Sequence, residues 1–148
     1  MNRSARHLAR DSRGQSLVEF ALVLPMLLVV MLMITEFGRA LWTYNVLAQA
    51  TREGARIAVV SPGASAVADG EAAMTTFLTA ANMVSAPVPT VNCAVDVVDG
   101  NTVVRATASR PFVWVFAGPM PANADGSATV GPRGLTINAQ TVMRAETF

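Results

Sequence analysis

One cysteine, Cys93, and one histidine, His7, are all that 148 residues provide of the side chains most used for metal binding and nucleophilic catalysis. Metal sites draw on clusters of Cys, His and carboxylates, and a Ser or Cys nucleophile needs a base beside it. His7 lies in the first fourteen residues, so the rest of the chain has neither. A disulfide framework is excluded as well. The lone cysteine is read as a small hydrophobe on a strand, with pairing between chains the alternative in an oxidising compartment. Asp96 and Asp99 could pair as acid and base, but a strand end and a turn are ordinary solvated places for Asp. No catalysis, cofactor or metal is expected. Basic charge is scarce too, because the net charge is only +1 and Arg3, Arg6, Arg10 and Arg13 precede Gly14 with Asp11 alone opposing them. Beyond Gly14, seven Arg face nine acids. A folded part that is net acidic excludes the basic face that nucleic-acid binding requires.

What the chain has instead is an apolar run. From Ser16 to Thr35 one ionisable side chain, Glu19, interrupts the sequence, and roughly 20 helical residues cross the hydrocarbon core of a bilayer. The run is read as a transmembrane helix. Four arginines ahead of it predict a cytoplasmic N-terminus, with everything after Thr35 outside. The run is longer than the apolar region of a secretory signal peptide, and the nearest A-x-A match, Ala48-Gln49-Ala50, lies two turns beyond Glu36 and Arg39. Either the chain is cut before the run or it is not cut. Pro25 stands in mid-span and removes the hydrogen bond to the carbonyl of Ala21, so a kink or a melted turn is expected at Ala21 to Pro25.

The helix is expected to continue into water, ending at Val59 or Val60 before Ser61-Pro62-Gly63. Ile34, Phe37, Leu41, Tyr44, Ala48, Thr51, Ala55 and Ala58 fall at alternating steps of three and four, an apolar stripe. Glu36, Arg39, Gln49, Arg52, Glu53 and Arg56 fall mostly off it and are expected on a solvated face, with Glu36–Arg39 and Glu53–Arg56 as pairs. Trp42 and Tyr44 suit an interfacial aromatic belt. Ala50, Gly54 and Ala58 permit close backbone approach, expected from the chain's own sheet.

A second helix is expected from Ser65 or Asp69 to Met83, with Asp69 a possible N-cap and Ala73, Met74, Phe77, Leu78 and Ala81 facing inward. Three or four strands follow. Val91 to Val97 and Val103 to Ser109 alternate around the turn Asp99-Gly100-Asn101 and predict a hairpin. Phe112 to Phe116 is a short aromatic run, residues 117 to 133 a long exposed loop, and Leu135 to Met143 a final half-buried strand. The fold expected is α+β: a long helix, transmembrane over residues 15–35 and extramembrane over 36–60, then a small domain over 61–148 with an antiparallel sheet and a short helix.

Glu19 needs an explanation, because an unpaired acid in an apolar run costs at least a few kcal/mol. The string Arg13-Gly14, Gln15-Ser16-Leu17-Val18, Glu19-Phe20 resembles the class III signal of type IV pilin-like proteins, in which a prepilin peptidase cuts after Gly and Glu stands fifth in the mature chain. The wider string over Arg13 to Val60, with VEFALVLP, EFGRAL and REGAR, resembles TadE-like pseudopilins of the tight-adherence (Tad/Flp) pilus system. INAQTVMRAE, Ile137 to Glu146, is a fainter likeness. The resemblance implies removal of residues 1–14, a new amine on Gln15, and a registry role for Glu19 toward the amine of a neighbouring subunit. It also implies a pilin-like shape, an inner-membrane location with an extracytoplasmic domain, and four kinds of partner: the prepilin peptidase, a TadF-like sister pseudopilin, the major Flp pilin and inner-membrane platform proteins. Gln15 stands where pilins often have Phe, and Phe20 where Flp pilins have Tyr. The rival reading is an unprocessed single-pass anchor whose outer domain binds a ligand or partner.

Overall fold

The computed structural model describes residues 12–61, 63–85, 87–115 and 134–145. The leader expected before Gly14 lies largely outside these residues, and the loop expected over 117–133 does so entirely. The chain divides into two compact units, one ending at Phe37 and the other beginning at Gly38.

Helix α1 runs from Ser12 to Val60 and includes Pro25, with residues 21–25 helical. In the first unit every described side chain from residue 14 to 35 is exposed. Thr35 satisfies its hydroxyl within the helix, donating to the carbonyl of Met31 at 2.9 Å, which suits a polar group in an apolar run.

In the second unit, a one-turn 3₁₀ segment at Gly63–Ser65 leads into α2, Ala66–Ala80. The N-cap is Ser65 and not Asp69, which sits in the first turn; there its charge faces the positive end of the helix. Asn82 takes a positive φ of 57° just past the end. The amide of Met83 donates to Leu78 and that of Asn82 to Thr79, the Schellman arrangement that satisfies the last carbonyls. It also turns Met83 back into the core beside Leu78, which is why the helix stops at Ala80 and not at Met83.

Three antiparallel strands form one sheet in the order β1-β2-β3: β1 Thr90–Val98, β2 Asn101–Val113 and β3 Gly134–Arg144. Asp99 and Gly100 both have positive φ, 51° and 76°, as a two-residue type I′ hairpin requires. Asn101 therefore belongs to β2. The aromatic run is not a separate strand, because β2 continues through Arg110 and Pro111 to Val113. Proline is tolerated there for a geometric reason. The amide of Cys93 points away from β2, to a carboxylate oxygen of Glu71 at 3.0 Å. By alternation, odd-numbered amides of β2 then point toward β1. β1 ends opposite Ser109, so Pro111 removes no ladder bond.

Both helices cover one face of the sheet. Leu47 and Ala50 of α1 and Leu78 of α2 pack with Ala108, Phe112, Ile137 and Ala139; Ala55, Ala58 and Met74 pack with Cys93, Val104 and Ala106. Of the fifteen buried apolar residues among those described, seven are alanine, so the layers lie close together. A buried hydroxyl pair ties α1 to β3: Thr51 donates to the carbonyl of Ala48 at 3.0 Å, which leaves Thr141 to donate to Thr51 at 2.8 Å.

The buried side of α1 departs from the expected stripe. Thr51, Ala55 and Ala58 are buried and Ala48 is half-buried, but Phe37, Leu41 and Tyr44 are exposed while Thr43, Leu47, Ala50 and Gly54 are buried. Steric room decides this, since a thin core selects small side chains over large apolar ones. Glu36 is corrected as well, being only 3% exposed and so not on a solvated face. The close approach at Gly54 is made by α2, not by the sheet. A Cβ at Gly54 would stand 2.4 Å from Met74 Cγ and 2.9 Å from the carbonyl oxygen of Gly70, and one at Gly70 would stand 3.0 Å from Ala58 Cβ and from Cys93 Sγ.

Candidate functional site

The residues that sequence reasoning singled out, Gly14, Gln15 and Glu19, occupy successive turns at the start of α1. Residues four apart on a helix lie one above the other. The side-chain amide of Gln15 accordingly donates to Glu19 Oε1 at 3.1 Å, on the exposed surface. Residue 15 and Glu19 are thus brought together, so a cationic group on the backbone nitrogen of residue 15 would lie about one helical turn from the carboxylate.

Gly14 is informative by what it does not do. It is helical, its φ is not positive, and a Cβ built on it meets nothing within 4 Å. Glycine costs roughly 0.5–1 kcal/mol relative to Ala inside a helix. Nothing in the fold requires that cost to be borne at position 14.

Around Glu19 the surface is apolar: Leu17 is 70% exposed, Phe20 62% and Leu22 76%. α1 is the one described helix long and apolar enough to cross a membrane. Exposed side chains of this size over five turns need lipid or other helices to cover them.

The other acids separate. Asp96 pairs with Arg105 across β1 and β2 at 3.2 Å, whereas Asp99 holds the hairpin turn. Glu53 and Arg56 form the expected pair at 2.7 Å, and the Arg56 hydrogen bond holds the Glu53 carboxyl below its ordinary value. Cys93 is 3% exposed; burial first, then the Glu71 carboxylate, pushes its thiol up. A protonated, covered thiol is a packing group, as the first reading of Cys93 had it. Sequence reasoning missed the convergence of Arg39 with Arg110, which are 71 positions apart. Nothing local connects them, although the Arg110-Pro111-Phe112 string marks one of the two partners.

The described fold is thus an α+β protein whose N-terminal helix is a candidate membrane span. Its residues 14–56 match the TadE-like protein family, and the match points to association with the Tad pilus. The matched stretch lies wholly within α1 and leaves α2 and the sheet outside. No curated protein and no solved structure matches the chain.

Proposed function

We propose that the chain is a minor pseudopilin of the TadE-like type, acting in assembly of Tad/Flp pili after a prepilin peptidase cuts between Gly14 and Gln15. The observation that carries this reading is the pairing of a glycine the fold does not need with an acid one turn beyond the new terminus. A glycine lets a backbone approach a membrane-embedded protease closely. Cutting frees an α-amine with an ordinary pKa near 8, and Glu19 is the acid placed to meet an amine, its own or that of a subunit already in place. Ion pairs in low dielectric set register better than they add stability. Pro25 gives the span a weak point that lets helices slide as a subunit leaves the bilayer. The N-terminus starts in the cytoplasm, the unit from Gly38 onward is extracytoplasmic, and the partners are a TadF-like sister pseudopilin, the Flp pilin and inner-membrane platform proteins. The protein works by joining and catalyses nothing.

The test is the intact mass of the full chain recovered from membranes, with and without a co-expressed prepilin peptidase, beside Gly14→Leu. Loss of residues 1–14 only with the peptidase, and only from the wild type, supports the reading; Glu19→Gln should then be processed normally yet fail to join pili. A leader that stays on in the native host overturns processing and leaves an unprocessed, membrane-anchored interaction module.

A further inference from the structure

A cut after Gly14 makes glutamine the first residue, and glutamine is the residue type whose side chain can consume its own terminal amine. The neutral nitrogen attacks Cδ of the carboxamide. A bond forms between N and Cδ, the bond from Cδ to Nε2 breaks, and the proton shed by the attacking nitrogen leaves on Nε2 as ammonia. Nothing is oxidised or reduced. The product is an uncharged lactam, a ring of N, Cα, Cβ, Cγ and Cδ. With both reacting groups in one residue the entropy of bringing them together is already spent. The rate then depends on the fraction of amine that is neutral and on where the carboxamide spends its time.

In α1 the carboxamide is engaged elsewhere. Gln15 Nε2 donates to Glu19 Oε1 at 3.1 Å. Four residues of helix rise about 6 Å, so a side chain that reaches Glu19 is extended along the helix, away from its own backbone nitrogen. Ring closure needs the same side chain folded back onto that nitrogen, and one carboxamide cannot do both. Both side chains are exposed, so this contact, and not packing, selects the extended form. The bond acts on reactivity as well. A carboxylate accepting from Nε2 draws the lone pair of that nitrogen further into the amide and makes it a poorer leaving group.

We propose that Gln15, once terminal, is a site of self-cyclisation that Glu19 holds in check by keeping the carboxamide off the amine. The inference rests on Gln15 becoming the first residue, as in the proposed function, and it gives Glu19 a task before assembly. Glu19 preserves the amine that the registry pair needs. A cyclised subunit carries a neutral lactam in that place and has no cation to offer, so this contact sets how long a processed subunit stays competent.

The test uses the full chain with Asp11, Ser12, Arg13 and Gly14 replaced by Ile, Glu, Gly and Arg, so that factor Xa exposes Gln15 in detergent without the prepilin peptidase. Intact mass is followed at about pH 8, near the ordinary pKa of the amine, and cyclisation appears as the loss of one ammonia. Glu19→Ala should lose it about two- to tenfold faster than the wild-type residue. Glu19→Gln keeps an acceptor oxygen without the charge and should fall between. Phe20→Ala, at a neighbour 62% exposed, should match the wild type, and every rate should rise with pH because only the neutral amine attacks. A wild-type rate in Glu19→Ala overturns the proposal, and so does a slower one, which would mean that Glu19 assists closure. Glu19→Gln or Phe20→Ala cyclising as fast as Glu19→Ala overturns it too. Processing is scored separately on the natural chain, where a leader that the peptidase leaves on removes the processing reading and leaves these rates to stand or fall by themselves.

Discussion

α1 has one backbone and two different surroundings. Over residues 16–35 its apolar side chains are large and exposed, whereas from Thr43 to Ala58 the buried positions are Thr, Leu, Ala and Gly. The second stretch meets partners from its own chain, and the space between layers selects small residues. The first is exposed at every described position, so size carries no penalty and length is what counts. Hydrophobicity alone does not distinguish the two settings; side-chain volume does. A helix that must be covered by lipid or other subunits can be coarse, and one that must fit its own sheet cannot.

The largest expected effect breaks this comparison outright. Leu47→Ala should cost about 2–5 kcal/mol in denaturant unfolding of the full chain in detergent, because Leu47 is fully buried between helix and sheet. The same change at Leu27, 61% exposed, should leave the unfolding midpoint of the unit from Gly38 onward unchanged. Equal losses at both sites would mean that the two stretches are packed alike. Gly54→Ala comes next at about 1–3 kcal/mol, since its methyl would collide with Met74 and with the backbone of Gly70, while Gly14→Ala should be neutral or slightly stabilising by the same measurement. Thr51→Val should cost about 1–2 kcal/mol by stranding the Thr141 hydroxyl. Replacing both threonines by valine should recover part of that loss, and a double-mutant cycle gives the coupling. Smallest is Glu53→Gln. The folded-state carboxyl is held below 4.5 by Arg56, so its contribution is full above the unfolded value and vanishes as pH falls through the folded one. The difference in stability between wild type and variant should therefore close on acidification from pH 7 toward pH 3.

Much of this architecture was readable from the residues. Uninterrupted helical spacing to Val60, the Asp99-Gly100 turn and the alternation in β3 are local patterns with local causes. Gly14, Gln15 and Glu19 stand out in the sequence by their spacing alone, and the roles proposed for them rest on that spacing. What failed needed distant information. Glu36, Leu41 and Tyr44 were misplaced because burial on a helix depends on which face the sheet meets, and a periodic stripe records only hydrophobicity. Gly54 was given to the sheet because small spacing announces close approach without naming the visitor. The run from Phe112 was set apart from the preceding strand because only the register shows β1 ending opposite Ser109, two residues before Pro111. Arg39 and Arg110 share a cavity only because β2 runs past its first partner.

The bond from the Cys93 amide to Glu71 has a consequence for the protein at high concentration. β1 is an edge strand, and an edge with open N–H groups is a template on which another chain's strand can grow. Glu71 occupies one of those N–H groups and brings a negative charge against the strand, which makes β1 a poor seed for aggregation when molecules crowd together. Glu71→Ala should therefore leave the fold in place and shorten the time the concentrated protein stays in solution.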